Sequence, residues 1–208
     1  MTTSQFITFE GIEGVGKTTQ IERLASYLMS VEIECYRTRE PGGTKLADDI
    51  RAILANPSYQ ISDRAELLLM FASRTSHVDQ VIIPQLERGA WVLCDRFVDA
   101  SYAYQGAGRG FGEDVISYFE QLTCQNLIPD TTFLLDMPLS MMFDRIRQRS
   151  QGKDRIEREP EAFFQSVRTA YLSRAQKNPK QYVLIDASAS IDEVTDQIIS
   201  AIKVRYEI

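Results

Sequence analysis

Histidine and cysteine are scarce in this 208-residue chain, and that scarcity narrows its chemistry. His77 is the only histidine. Mechanisms that need a histidine triad partner or several imidazole ligands are therefore largely excluded. No role attaches to His77 from the sequence, so it is expected at the surface or at an interface. The three cysteines, Cys35, Cys94 and Cys124, are odd in number and have no metal-binding spacing. They read as buried thiols in a reducing cytoplasm. Long apolar runs are missing as well: no segment approaches the roughly 20 residues needed to cross a bilayer. The first strand pattern begins within a few residues of Met1 and has no basic flank, so neither a signal peptide nor a membrane partner is expected. Positive charge is not in excess, since 23 Lys and Arg against 29 Asp and Glu leave a net charge of -6. A broad nucleic-acid surface would require many phosphate-neutralising cations, so nucleic acid is not an expected partner. Basic residues that matter must be locally clustered.

What is present begins at residue 6. The apolar run Phe6, Ile7, Phe9 leads into Gly11-Ile12-Glu13-Gly14-Val15-Gly16-Lys17-Thr18-Thr19, and Ile21, Leu24, Ala25 and Leu28 follow at helical spacing. A glycine, four residues, then Gly-Lys-Thr is the pattern of a loop that cradles nucleoside triphosphate phosphates. Gly11, Gly14 and Gly16 allow the backbone to approach an anion closely, so that successive N–H groups converge on phosphate oxygens. The helix that opens at Gly16 adds its positive dipole end. Lys17 is a flexible cation for the outer phosphates, and the Thr18 hydroxyl is placed to ligate Mg²⁺.

Downstream, strand and helix patterns alternate. Strands are expected over 32–38, 90–94, 131–136 and 182–186. Helices are expected over 44–55, from Ser62 or Asp63 to 87 with a bend near Pro84, and over 98–105, 112–126, 139–149, 163–176 and 191–206. Leu46, Ile50, Ile53 and Leu54 should share one side of the helix over 44–55. Glycine-rich 105–110 reads as a loop, and polar, charged 150–158 as a mobile loop between helices. This alternation predicts one α/β unit with a parallel sheet, whose ligands sit beyond the carboxyl ends of the strands. The phosphate loop, the loop after Thr38 and the Asp95-Arg96 pair all fall at such ends.

Four further stretches narrow the reading: Arg39-Glu40-Pro41-Gly42-Gly43-Thr44, Asp95-Arg96-Phe97, Tyr102-Ala103-Tyr104-Gln105-Gly106 and Asp154-Arg155-Ile156-Glu157. In this order and at these intervals they closely resemble the bacterial thymidylate kinase family, over essentially the whole chain. The resemblance implies a three-layer P-loop kinase fold, with a five-stranded parallel sheet flanked by helices, as one domain over 1–208 with a lid at about 150–158. It implies transfer of the ATP γ-phosphoryl group to dTMP, with Mg²⁺, by a homodimer associating through long helices.

The resemblance also implies roles. The loop from Gly11 to Thr19 binds the donor, and Thr18 and Asp95 hold Mg²⁺ directly or through water. Arg96 bridges the acceptor phosphate and the transferred group, Arg51 grips the acceptor phosphate, and Glu13 hydrogen-bonds the sugar 3′-hydroxyl. The phosphate loop carries Gly14 where some relatives have arginine, so the chain looks like the class whose lid supplies the cation. Arg155 is then the arginine that closes on the phosphates, and Arg149 the one that stacks on adenine. Thymine falls to Phe71, Arg74, Ser101 and Gln105, and Tyr104 packs where a 2′-hydroxyl would clash. The stacking aromatic often lies four residues before the thymine-reading arginine. Here Met70 occupies that place and Phe71 lies three before, so either residue can face the base. The alternatives are a kinase for a deoxynucleoside, which has no phosphate to occupy Arg51 and Arg96, and a nucleotide switch, for which a guanine-reading Asn-Lys-x-Asp is missing.

Overall fold

The computed structural model describes residues 3–148 and 154–208. Among them the apolar runs become five parallel strands: β1 (Phe6–Glu10), β2 (Cys35–Arg39), β3 (Trp91–Asp95), β4 (Thr131–Asp136) and β5 (Tyr182–Asp186). Their order in the sheet is β2-β3-β1-β4-β5. The chain steps outward from β1 to β2, returns to β3, and then crosses β1 to reach β4. That reversal makes the carboxyl end of β1 a switch point, and the phosphate loop leaves the sheet there.

Helices cover the sheet. They are α1 (Lys17–Ser30), α2 (Lys45–Ala55), α3 (Asp63–His77), α4 (Ile83–Glu87), α5 (Val98–Ser101), α6 (Glu113–Thr123), α7 (Leu139–Gln148), α8 (Glu161–Lys177) and α9 (Ile191–Tyr206). Their starts are written in side chains. Thr44 accepts from the Ala47 N–H, Ser62 from Ala65, and Ser190 forms a reciprocal capping box with Glu193. Successive strand side chains face opposite ways, which divides the core. Trp91 and Leu93 join Ile7, Phe9, Leu24 and Ile198 in one cluster; Val92 and Cys94 join Phe6, Leu67, Phe71 and Ile116 in another.

Several expectations change. The second strand starts at Cys35, three residues late, because Glu32 adopts a left-handed backbone (φ 59°) that cannot belong to a strand. On α2 the buried residues are Ala47, Ile50 and Leu54, whereas Leu46 and Ile53 are exposed. The long helix ends at His77 and passes through a π-helical turn, Val78–Ile82, before α4; Pro84, which lacks an N–H, sits at the start of α4. A second π-helical segment, Tyr102–Gly108, replaces most of the expected glycine loop. There Gly108 lets the ring of Phe163 approach, which a Cβ would meet at 2.6 Å. His77 is fully buried instead of exposed, between Thr38 and Glu40.

Candidate active site

At the carboxyl ends of β1, β2 and β3 lies a cavity of about 830 Å³, of the size that takes a small-molecule ligand. The phosphate loop forms one wall. Gly11 has φ 131°, and a Cβ there would lie 2.2 Å from the Leu135 carbonyl oxygen, so only glycine fits where β1 turns out beside β4. Ile12 and Val15 anchor the loop in the core, leaving its backbone to face a ligand. Lys17 folds back to donate to the Gly11 and Ile12 carbonyls at 3.0 and 2.9 Å. Burial, reinforced by the Arg96 charge, pushes its ammonium down to about 8. Thr18 Oγ1 donates to Asp95 Oδ2 at 3.0 Å, so the two expected metal ligands do meet.

Arg96 leaves β3 with φ 71°, a left-handed backbone uncommon for any side chain other than glycine. Its guanidinium crosses to the phosphate loop, where Nη1 donates to the Gly11 carbonyl and Nη2 to Glu13 Oε1 at 3.0 Å. It also lies over the ring of Tyr104, 5.2 Å from the centroid. Burial works against its charge, but the Tyr104 oxygen and Glu13 hold it well above the ordinary arginine range. Glu13 Oε1 accepts from the Tyr104 hydroxyl too, at 2.7 Å, while Glu13 Oε2 is buried without a hydrogen-bond partner among the described residues. A buried acceptor of this kind is uncommon, and here it belongs to a residue on the cavity wall.

The far wall comes from α2, α3, the Tyr102–Gly108 segment and the residues before α8. Arg51 donates to the Pro41 carbonyl at 3.1 Å. Burial lowers its pKa, and the like charge of Arg39 lowers it further. Gln105 donates to Glu66 at 2.8 Å, and its own amide oxygen has no hydrogen-bond partner among the described residues. Glu66 also receives Arg109 and Arg155, the latter at 2.5 Å, and Arg155 Nε donates to the Leu54 carbonyl.

Phe71 is not on this wall. Positions 67, 71, 74 and 78 share the inward face of the helix; Phe71 therefore stacks on Phe119 at 5.1 Å and beneath the Arg74 guanidinium at 4.8 Å. Glu66 and Met70, also four apart, face the cavity instead. Arg74 and Ser101 lie just behind it, hydrogen-bonded to each other at 2.8 Å. Arg74 Nε pairs with Glu40 at 2.7 Å, and its Nη2 donates to the Phe97 carbonyl. Arg149, expected against adenine, lies outside the described residues, as do residues 150–153 of the expected lid.

The family model for thymidylate kinase matches residues 9–198. The chain belongs to the thymidylate kinase family. It is 50% identical over 199 residues to a thymidylate kinase of Vesicomyosocius okutanii, covering 95% of this chain and 97% of that one. It is 49% identical over 200 residues to one from Chromohalobacter salexigens, with 95% and 94% covered. The crystal structure of thymidylate kinase from Ehrlichia chaffeensis superposes with a TM-score of 0.77 at 33% identity, over 96% of this chain and 98% of that chain.

Within the thymidylate kinase framework, sequence reasoning missed the carboxylates and imidazole that hold the arginines. Glu40 pairs Arg74 with His77, Glu66 gathers Arg109 and Arg155, and Glu10 is fully buried at the end of β1. One signal was available: an acid closing a strand as apolar as Phe6-Ile7-Thr8-Phe9 needs a partner, because an unpaired buried charge is too costly. Arg145, which joins the Gly14 and Ala187 carbonyls across the donor side, gave no such signal.

Proposed function

We propose that this chain transfers the γ-phosphoryl group of ATP to dTMP, giving dTDP and ADP. The supporting observation is one cavity in which the phosphate loop faces Arg51 and Arg96, with Arg39 beside them. Converging cations of this kind suit a second anion opposite the first. The acceptor is a phosphate oxygen that is already anionic, so no general base is required; a lone buried histidine is compatible with that. Lys17 and Arg96 neutralise charge and align the attacking and leaving groups, which is most of what phosphoryl transfer asks of a protein. Glu13 Oε2 is the acceptor we assign to the sugar 3′-hydroxyl, and Tyr104 the wall that disfavours ribose.

Mg²⁺ fits the donor set. Thr18 and Asp95 offer a hydroxyl and a carboxylate, and the described residues contain no cluster of three or more His, Cys, Asp or Glu. That suits an ion that keeps waters and phosphate oxygens as its remaining ligands. When bound, Mg²⁺ neutralises the β- and γ-phosphate oxygens. We assign the catalytic lid cation to Arg155, because Gly14 leaves the phosphate loop without an arginine. No described helix is long and apolar enough to cross a membrane. The three cysteines are free, and we place the enzyme in the cytoplasm.

In a coupled ADP-release assay dTMP should accelerate turnover far above dUMP, dCMP, dGMP and thymidine. Replacing Tyr104 with alanine should raise the relative rate with ribothymidine monophosphate. If dTMP releases ADP no faster than water does, the proposal fails; unchanged sugar discrimination in the variant removes Tyr104 from that role. A homodimer is supported by a stripe of exposed apolar side chains, Val115, Tyr118 and Leu122, on α6, and by exposed Leu68 on α3, which packs against α6. Sedimentation equilibrium should give twice the chain mass, shifting toward the monomer on Leu122→Lys. A wild-type monomer at micromolar concentration would remove the dimer.

A further inference from the structure

Glu10 is a fully buried carboxylate to which phosphoryl transfer gives no direct task. Both its oxygens are occupied. Oε1 accepts from the Phe97 backbone N–H at 2.6 Å, and Oε2 from the Tyr171 hydroxyl at 2.7 Å. Those two partners bracket Arg96. The Phe97 N–H follows Arg96 directly in the chain. The Arg96 N–H itself donates to the Phe9 carbonyl at 3.0 Å. The Tyr171 oxygen lies 3.5 Å from Arg96 Nη1 as a second acceptor beside the Gly11 carbonyl. At Arg96 the chain stops pairing as a strand and takes φ 71°. The next N–H has no strand carbonyl to meet, and the Glu10 side chain supplies the acceptor instead.

We propose that Glu10 is a positioning residue for phosphoryl transfer: through the Phe97 N–H and the Tyr171 hydroxyl it holds Arg96 in the left-handed conformation that carries its guanidinium across the phosphate loop. Left-handed backbone at a residue with a long side chain persists only where its surroundings over-determine it, and Glu10 is the side chain that does so from the sheet. Tyr171 extends the hold from backbone to side chain, because the same hydroxyl can receive Arg96 and donate to Glu10. Burial, and then the Asp99 charge, pushes Glu10 up to about 8, while the Arg96 charge and the hydrogen bonds from Tyr171 and the Phe97 N–H favour the ionised form. Asp99 is itself paired with Arg174.

This inference rests on the assignment of Arg96 to the transferred phosphoryl group, and the test separates the two. Glu10→Ala should lower kcat about 100-fold, the scale of a misplaced catalytic group. KM for ATP and dTMP should stay within about threefold, because the ground-state contacts are kept. Glu10→Gln retains an acceptor for the Phe97 N–H and a donor for the Tyr171 oxygen, so it should recover most of kcat. On an Arg96→Ala background, Glu10→Ala should cause no further loss, since two residues acting through one contact are not additive. If Glu10→Ala does not yield folded protein, Tyr171→Phe breaks the side-chain route alone. It should lower kcat about five- to tenfold, the worth of one hydrogen bond, and should lose that effect on the Arg96→Ala background. Equal losses from Glu10 or Tyr171 variants in both backgrounds, or an unchanged kcat in Glu10→Ala, overturn the proposal while leaving Arg96 its role. Full turnover in Arg96→Ala overturns both.

Discussion

Arg155→Ala should lower turnover by about 10³- to 10⁵-fold, the range for removal of an arginine that stabilises a transferring phosphoryl group. The dissociation constant for dTMP should change only a few-fold. The expectation comes from Gly14, which leaves the phosphate loop without an arginine, and from the place of Arg155 on the same cavity wall. Its present contacts are on the acceptor side: Nη2 lies 2.5 Å from Glu66, and Nε donates to the Leu54 carbonyl 3.0 Å away. To reach a phosphate the guanidinium must give up at least the first of these. Glu66 can release it without being stranded, because Arg109 and Gln105 remain on the same carboxylate. These partners, opposing its burial, hold Glu66 below the usual carboxylate range. Rapid-quench single turnovers alongside calorimetric dTMP titration separate the outcomes. Equal turnover with weaker dTMP binding would make Arg155 a latch on the acceptor wall and place the essential cation elsewhere. Arg155→Lys should fall between, since a point charge replaces a planar fork.

The parts of this site that sequence reveals are those that local chemistry dictates. A glycine-rich turn between an apolar strand and an amphipathic helix can be read directly, as can Asp95-Arg96 at a strand end, and topology then brings them together. Thr18 meeting Asp95 follows once β1 and β3 are neighbours in the parallel sheet. Helix faces are read less well, because each residue turns by about 100° and one position decides between core and cavity. Phe71 and Met70 illustrate this. Both spacings from Arg74 suit one face, and only the packing of α6 against α3 draws the aromatic inward and leaves Met70 outside. The π-helical segments escape periodicity altogether, since their spacing matches neither template. Buried polar networks are hardest to read. Glu10, Glu40, Glu66 and His77 belong to residue types that composition alone marks as surface or intermediate, and their partners come from distant elements.

The Glu40 network should be the most sensitive point of the fold. Arg74→Met removes a guanidinium that donates to Glu40, Ser101 and the Phe97 carbonyl, and it leaves a carboxylate of about 1% side-chain exposure that has lost its arginine and keeps the His77 Nδ1 contact at 2.9 Å. Breaking one side of such a pair costs about 3–5 kcal/mol, much of it from the stranded charge and not from the lost attraction. For a chain of this size that is a fall in Tm of about 6–20 °C. The double variant Arg74→Met with Glu40→Gln should recover much of the loss, since no buried charge is then left alone. Urea denaturation of the three proteins checks this, and a double variant no more stable than Arg74→Met would show that the arginine acts by packing over Phe71 instead. Burial pushes the Glu40 carboxyl up, but Arg74 and then His77 more than reverse that, leaving it below its ordinary value of 4.5. A carboxyl lowered by folding contributes its full stability above the unfolded value and loses it as pH falls through the folded one. Wild-type stability should therefore fall on acidification below about pH 4.5 more steeply than that of Glu40→Gln. Parallel slopes would mean that Glu40 keeps its charge through the acid transition. The same substitution tests the site, because Glu40 sets the angle at which Arg74 stands behind the cavity wall. If Arg74 reads the base, Glu40→Gln should narrow the preference for dTMP over dCMP as well as the stability.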